Sequence, residues 1–296
     1  MAAHSAVIPR NKRRRRIIRA ALAVSFLVAI AALAFFAPVL RHLGDSGDDG
    51  TIAYERAKRR WMASWGMAMP GAPDVTRLSQ RLAEHGVAAG APIFMRIFKR
   101  EFELELWMRR DGVFHRFAIY PICRWSGTLG PKLRQGDHQT PEGVYTVDAG
   151  ALNPNSKWYR SFNLGFPNAY DAAHDRTGSF IMVHGGCASV GCFAMTNAQM
   201  SEIWQLVTAA LSAGQKRFQV QVMPFRLSDQ SLAAYGNHPD ISFWRTLKTG
   251  SDLFDRTLLP PRVRICQKSY QFEAAQLGTT GAAAIEVACR REPDKS

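Results

Sequence analysis

The chain is 296 residues long, 47% hydrophobic and 21% charged, a composition that fits one large or two small globular domains and excludes a disordered or fibrous chain. Its net charge of +14 is unevenly placed: eight of the 38 Lys and Arg residues lie within residues 1–41, where no Asp or Glu occurs, leaving 30 basic against 24 acidic groups. That mild surplus has no recognition motif beside it, so nucleic acid is not an expected partner, whereas a polyanionic wall or a membrane surface suits it.

The first element is N-terminal. Arg10, Lys12, Arg13, Arg14, Arg15, Arg16 and Arg19 precede an uncharged run over residues 20–40, which as a helix spans about 30 Å, the thickness of a bilayer core. Cations without anions on one flank give the positive-inside pattern. The chain is therefore expected to carry a basic cytoplasmic tail (1–19) and a single-pass inner-membrane signal anchor (20–40), with the remainder periplasmic. The apolar run exceeds that of a cleavable signal, although Ala32, Ala34 and Ala37 leave cleavage open.

Residues 41–51 are rich in Gly and Asp and read as a flexible linker. Residues 52–65 and 74–86 are expected to be helical, the second with Asp74 as N-cap and Leu78 and Leu82 one turn apart before Gly86, giving a helical collar over 52–91. From residue 92 the period changes. Residues 93–98, 102–109 and 113–120 are short apolar runs separated by turns, and Phe102-Glu-Leu-Glu-Leu-Trp107 alternates as a half-buried strand should. Further strands are expected at 143–147, 179–184 and 218–224.

One helix interrupts them: Thr196-Asn-Ala-Gln199 fits a capping box, and Met200, Ile203, Trp204, Val207 and Leu211 recur at helical spacing before Gly214. Residues 228–256 read as partly helical, and 262–296 carry few order signals beyond Cys266 and Cys289, so 227–296 is expected to be a helical extension and tail. The fold class is mainly β with α additions (α+β), its main domain covering 92–226.

The chemistry concentrates in Ser179-Phe-Ile-Met-Val-His184-Gly-Gly-Cys187-Ala-Ser189-Val-Gly191-Cys192-Phe-Ala-Met-Thr196. A thiol nucleophile needs a neighbouring base or cation, and a His at the end of a buried strand can hold its ring against a sulfur on the next loop. The glycines permit close approach. The start of the Thr196 helix would favour thiolate, and N–H groups around Gly191 and Cys192 would face a developing oxyanion. Three other readings stand beside this one: Cys192 as an inert buried thiol, His184, Cys187 and Cys192 as a three-ligand metal set, and a Cys187–Cys192 disulfide. Five cysteines leave one unpaired, and a free reactive thiol is a standard reason. Cys266 and Cys289 could pair and pin the C-terminal tail, leaving Cys123 and Cys187 unassigned, but spacing does not establish the connectivity.

The His-Gly…Ser-x-Gly-Cys pattern of 184–192 resembles the YkuD-type L,D-transpeptidase catalytic domain. The likeness extends through Tyr120-Pro-Ile-Cys123-Arg-Trp-Ser126-Gly, Gly130-Pro-Lys132, Gly136-Asp, Thr140-Pro-Glu-Gly143-Val-Tyr145, Asn153-Pro-Asn155-Ser156 and Ser161-Phe-Asn163-Leu-Gly-x-Pro167-Asn168-Ala-Tyr170, a set similar to the YafK subgroup and covering about residues 92–226. The resemblance implies a β-sandwich-like fold and Cys192 as nucleophile. It implies His184 as base, the Gly185 carbonyl as the group orienting it, and Ser189 and Gly191 as shapers of the nucleophile loop.

Val190 and Ala194 depart from the wider family, which has His or Arg before Gly-Cys and Arg two residues after the Cys; the subgroup shares these departures. Lys132, Asn163 and Tyr170 are candidates for binding substrate carboxylates, with Arg134 and Asn168 in the same polar loops. The implied activity is a cysteine-dependent peptidoglycan L,D-transpeptidase or L,D-amidase acting on stem peptides through a thioester, with an amine or water as acceptor and a wall-linked lipoprotein as a conceivable partner. It calls for no cofactor and no metal. The alternatives are a non-catalytic peptidoglycan-binding module and a metal hydrolase.

Overall fold

The computed structural model describes residues 14–15, 17–27, 30, 47–276, 285–287 and 289. Two units are distinguished, 1–57 and 58–296. In the first, residues 17–27 are helical. No helix among the described residues is long and apolar enough to cross a membrane, and the span expected over 20–40 lies largely outside them.

Helix α1 runs Gly47–Ser64, so residues 47–50, expected to be part of the linker, are instead its first turn. In the second unit, Asp74 caps a 3-10 turn, Val75–Arg77, its carboxylate accepting the Thr76 N–H at 3.0 Å. Helix α2 follows as Leu78–Glu84. It buries no residue of its own and is held by an ion pair from Arg81 to Glu202, which also accepts a 2.5 Å bond from the Tyr120 hydroxyl.

The main sheet contains β1 (Ile93–Phe98), β2 (Glu103–Arg110), β3 (Val113–Pro121), β4 (Gly143–Asp148) and β9 (Arg217–Met223) in the order β3-β2-β1-β9-β4. Every residue of β1 is buried, as expected of a strand covered on both faces. β1 and β9 are parallel, with Met95 opposite Val220; the other pairings are antiparallel.

A four-stranded sheet carries the candidate chemistry: β5 (Leu152–Asn153), β6 (Ser161–Asn163), β7 (Met182–His184) and β8 (Phe193–Ala194), in that order. Phe162 of β6 meets Phe218 of β9 edge-on at 5.7 Å, seating this sheet on the main one. The strand expected over 179–184 is shorter than its apolar run, because Gly178 and Phe180 take positive φ and delay regular pairing to Met182.

Helix α3 is Ala169–Ala173 and helix α4 is Asn197–Ser212. The Thr196–Gln199 capping box forms, and Met200, Ile203 and Val207 are fully buried. Helices α5 (Asp229–Ala234) and α6 (Ile241–Thr257) follow. The segment from 262 onward is not merely a tail: β10 (Arg262–Cys266), β11 (Ser269–Glu273) and β12 (Glu286–Val287) form a third sheet, and Cys266 is bonded to Cys289. Its polar alternation is too brief to stand out without its partners.

Candidate active site

β7 ends at His184, which pairs with Ser161 of β6 on one side and Ala194 of β8 on the other, so the backbone that carries the imidazole is fixed from both edges. The residue is only 3% exposed. Its Nδ1 lies 2.5 Å from the Gly185 carbonyl oxygen. A carbonyl only accepts, so Nδ1 carries the proton and Nε2 keeps the lone pair a base requires. Burial pushes the imidazole below its ordinary range, and the bond to Gly185 partly offsets this.

The Trp158 indole stacks on the ring with centroids 6.0 Å apart. It lies so close to Gly186 that a Cβ there would stand 2.9 Å from it, and Gly186 has a φ of 94°; only glycine fits that position.

The loop from Gly185 to Gly191 is braced at three points. The Gly185 N–H donates to the Tyr159 carbonyl at 3.2 Å, Cys187 is bonded to Cys123, and the Ser189 hydroxyl donates to the Cys192 carbonyl at 2.6 Å. The Gly191 N–H donates to the Ser126 hydroxyl at 2.5 Å, so one expected oxyanion donor is engaged by a side chain from outside the loop. Cys192 follows, half-buried, as the free cysteine beside two disulfides. The Cys187–Cys192 disulfide entertained from sequence is thereby replaced by Cys123–Cys187, and the three-ligand metal set loses Cys187 to that bond.

The Cys192 Sγ accepts from the Met182 N–H at 3.4 Å and donates to the Phe180 carbonyl at 3.7 Å. Burial pushes the thiol up, while the Met182 N–H and the Lys132 charge pull it back. The expected helix contribution is weaker than the sequence implied: β8 separates Cys192 from α4, whose first residue lies against Gly185.

Val183 is opposite Phe193 and His184 is opposite Ala194 in the parallel β7–β8 pair. Cys192 directly precedes β8, and its Sγ lies beside the backbone of Met182, two residues before His184 on β7. Among the described residues no hydrogen bond joins Sγ to the imidazole.

The three candidate substrate-binding residues separate. Lys132 is 4% exposed and turned inward, its ammonium donating to the Arg134 carbonyl at 2.8 Å and pairing with Asp137. Asn163 lies opposite Met182 at the end of β6, with its Oδ1 accepting the Gly165 N–H at 3.0 Å. Tyr170, expected in a cleft, is instead packed in an aromatic stack with Tyr270 at 4.3 Å and Phe243 at 5.4 Å, which leaves little of it for a ligand. Asn168 likewise serves α3 as its cap. Sequence reasoning missed Ser126 and Trp158 as neighbours of the site: Ser126 stood inside a quoted motif without a role, and Trp158 carried no local signal.

The L,D-transpeptidase catalytic domain family model, YkuD, matches residues 99–222. Two Escherichia coli proteins, from strain K12 and from O157:H7, each named "Putative L,D-transpeptidase YafK", are 45% identical over 183 residues, which span 61% of this chain and 74% of each relative. Among solved structures, the helical cell shape determining protein Pgp2 of Campylobacter jejuni is 21% identical over 62% of this chain and 67% of its own, with a TM-score of 0.38. Bd1075 of Bdellovibrio bacteriovorus is 19% identical over 56% and 61%, with a TM-score of 0.33. This chain belongs to the YkuD L,D-transpeptidase family.

Proposed function

We propose that the chain is a cysteine acyl enzyme that cleaves an amide bond in peptidoglycan stem peptides and passes the acyl group to an amine or to water. One observation supports this reading: the chain's unpaired thiol lies against the backbone of β7, the strand that ends in an imidazole whose proton is held on Nδ1 by the Gly185 carbonyl. A side-chain rotation of Cys192 toward Nε2 is part of the proposal, since catalytic contacts are commonly loose until substrate is bound.

In the first step Nε2 takes the thiol proton and Sγ attacks the amide carbonyl carbon. The C–N bond then breaks as the imidazolium returns that proton to the leaving amine, leaving a thioester on Cys192. In the second step His184 removes a proton from the incoming amine or water, which attacks the thioester and releases the thiolate. Lys132 supports the thiolate by charge from within its pair with Asp137. A diaminopimelate or lipoprotein amine as acceptor makes the reaction transpeptidation; water makes it hydrolysis. The departures at Val190 and Ala194 favour hydrolysis.

We also propose that the basic tail and apolar run over residues 10–40 anchor the enzyme to the inner membrane with its catalytic part in the periplasm, on the charge pattern alone. Membrane fractionation with protease protection tests this; recovery in the soluble fraction with an intact N-terminus refutes it.

The deciding experiment for the chemistry is incubation with defined muropeptides, wild type against Cys192→Ala, followed by mass spectrometry. An acyl adduct on Cys192 and products absent from the variant are expected. Equal turnover by the variant refutes the mechanism, and ligand binding with no turnover by either protein assigns the domain as a wall-binding module.

A further inference from the structure

Between Arg60 and Asp74 the chain carries no charged residue: Trp61-Met-Ala-Ser-Trp65-Gly-Met67-Ala-Met69-Pro-Gly-Ala-Pro73. A stretch of that composition is expected in a core, yet much of it lies on the surface. Trp61 is 49% exposed, Trp65 71% and Met67 44%, with Ala68 and Pro70 exposed beside them.

The backbone holds these side chains out on a closed turn. At the end of α1 the Gly66 N–H donates to the Ala63 carbonyl at 3.1 Å and the Met67 N–H to the Met62 carbonyl at 2.9 Å. Those paired bonds stop a helix on a left-handed glycine, and Gly66 has a φ of 65°. Met69 is buried beneath the loop, and the Ala72 N–H closes onto its carbonyl at 3.1 Å.

Single apolar side chains on a surface need no explanation, whereas two indoles one helical turn apart with a methionine beside them do. An indole offers a broad apolar face and one polar N–H, which suits the headgroup layer of a bilayer. Arg60, exposed at the border of the patch, supplies a cation for lipid phosphate. Only residues 41–46 separate the apolar run over 20–40 from Gly47, a reach of at most about 25 Å, so an anchored chain keeps α1 close to the membrane surface.

We infer that Trp61, Trp65 and Met67 form a foot that inserts into the headgroup region of an anionic phospholipid bilayer. The inference rests on the membrane placement proposed above. Gly66 and Met67 share the wall of one cavity with Gly186 and Cys187 of the nucleophile loop, so docking the foot holds the candidate site beside the membrane rather than at the full reach of a tether.

The test uses the full chain, reconstituted into vesicles of phosphatidylglycerol and phosphatidylcholine brominated along its acyl chains, with tryptophan fluorescence as readout. Bromine quenches indoles that enter the bilayer. The parent is expected to be quenched, and Trp61→Phe/Trp65→Phe to lose most of that quenching. Trp158→Phe, which removes the other strongly exposed indole, should keep it. Met67→Glu leaves both indoles in place but brings a charge to the apolar layer, and should weaken the quenching.

Flotation with the vesicles and resistance to carbonate extraction report the anchor separately. Quenching in a protein that carbonate releases supports the foot and refutes the anchor. Resistance to carbonate with equal quenching in the parent and the double tryptophan variant overturns the foot and keeps the anchor, and failure to float overturns both. Shielding of the two indoles from acrylamide without bromine quenching assigns the patch to a second copy of the chain and also overturns the inference.

Discussion

Replacing Glu142 by glutamine tests whether the turn before β4 is held by a buried charge pair. Lys99 and Glu142 are both fully buried and 2.8 Å apart. The ammonium also donates to the Gly130 and Thr140 carbonyls at 2.8 and 3.1 Å. The carboxylate accepts from the Gly130 N–H and the Trp244 indole N–H, each at 2.7 Å. A glutamine keeps the shape but has one acceptor oxygen, so either the ammonium or the indole N–H must face an NH2 group.

Losing a charge-assisted bond removes about 1.5–3 kcal/mol, and an orphaned buried donor adds about 1–3. Together these agree with the roughly 3–5 kcal/mol expected when one member of a buried pair is removed. At about 2–4 °C per kcal/mol for a unit of this size, Tm should fall by roughly 6–20 °C. Thermal and urea unfolding followed by circular dichroism measure it.

The double variant Lys99→Met/Glu142→Leu should cost well under the sum of its single changes, because no unpaired charge is left behind. A loss below about 1 kcal/mol in Glu142→Gln, or strictly additive costs in the double variant, would refute the reasoning. The effect should reach the candidate site as well. Thr140 is bonded to Ser126 in both directions, and the Ser126 hydroxyl holds the Gly191 N–H.

Three further outcomes are expected. Cys192→Ala should lower muropeptide turnover about a thousandfold or more, read by product analysis, while leaving the fold intact. Trp158→Ala admits water to the His184 ring; since burial holds that imidazole below its ordinary range, the pKa should rise and the acid limb of kcat/KM should move to higher pH. Trp158→Phe should restore the parent profile, and an unmoved limb in Trp158→Ala would show that the indole shields nothing. Replacing Cys123 and Cys187 together with alanine opens a link across 64 residues, which chain-entropy arguments value at about 4 kcal/mol; denaturant unfolding of the double variant against the oxidised parent measures the difference.

The parts of this structure legible in the sequence are those set by near neighbours. The capping box of α4 needs only Thr196 and Gln199, and the alternation through Phe102–Trp107 declares β2 by itself. His184 and Cys192 were findable because nine residues hold both, and the family likeness supplied the roles expected of them. What stayed hidden depends on contacts far apart in the chain. Nothing local to Cys123 names Cys187 as its partner, and nothing in Thr140-Pro-Glu-Gly143 announces that Glu142 answers a lysine more than forty residues earlier. Tyr170 read as a polar-loop aromatic because Tyr270, on which it stacks, is a hundred positions away. Trp158 likewise gained meaning only when the chain folded it over the imidazole.

The parallel seam between β1 and β9 has a consequence for how the polypeptide comes together. The two strands are adjacent in the middle of the five-stranded sheet although nearly the whole catalytic region separates them in sequence. A nascent chain that has not reached residue 223 holds the β1–β3 meander and β4 as separate pieces, each with an open edge. Closing so long a span is slow relative to local hairpins, so any shortened product lacking that late strand should be insoluble rather than a smaller active domain, however complete its cysteine loop.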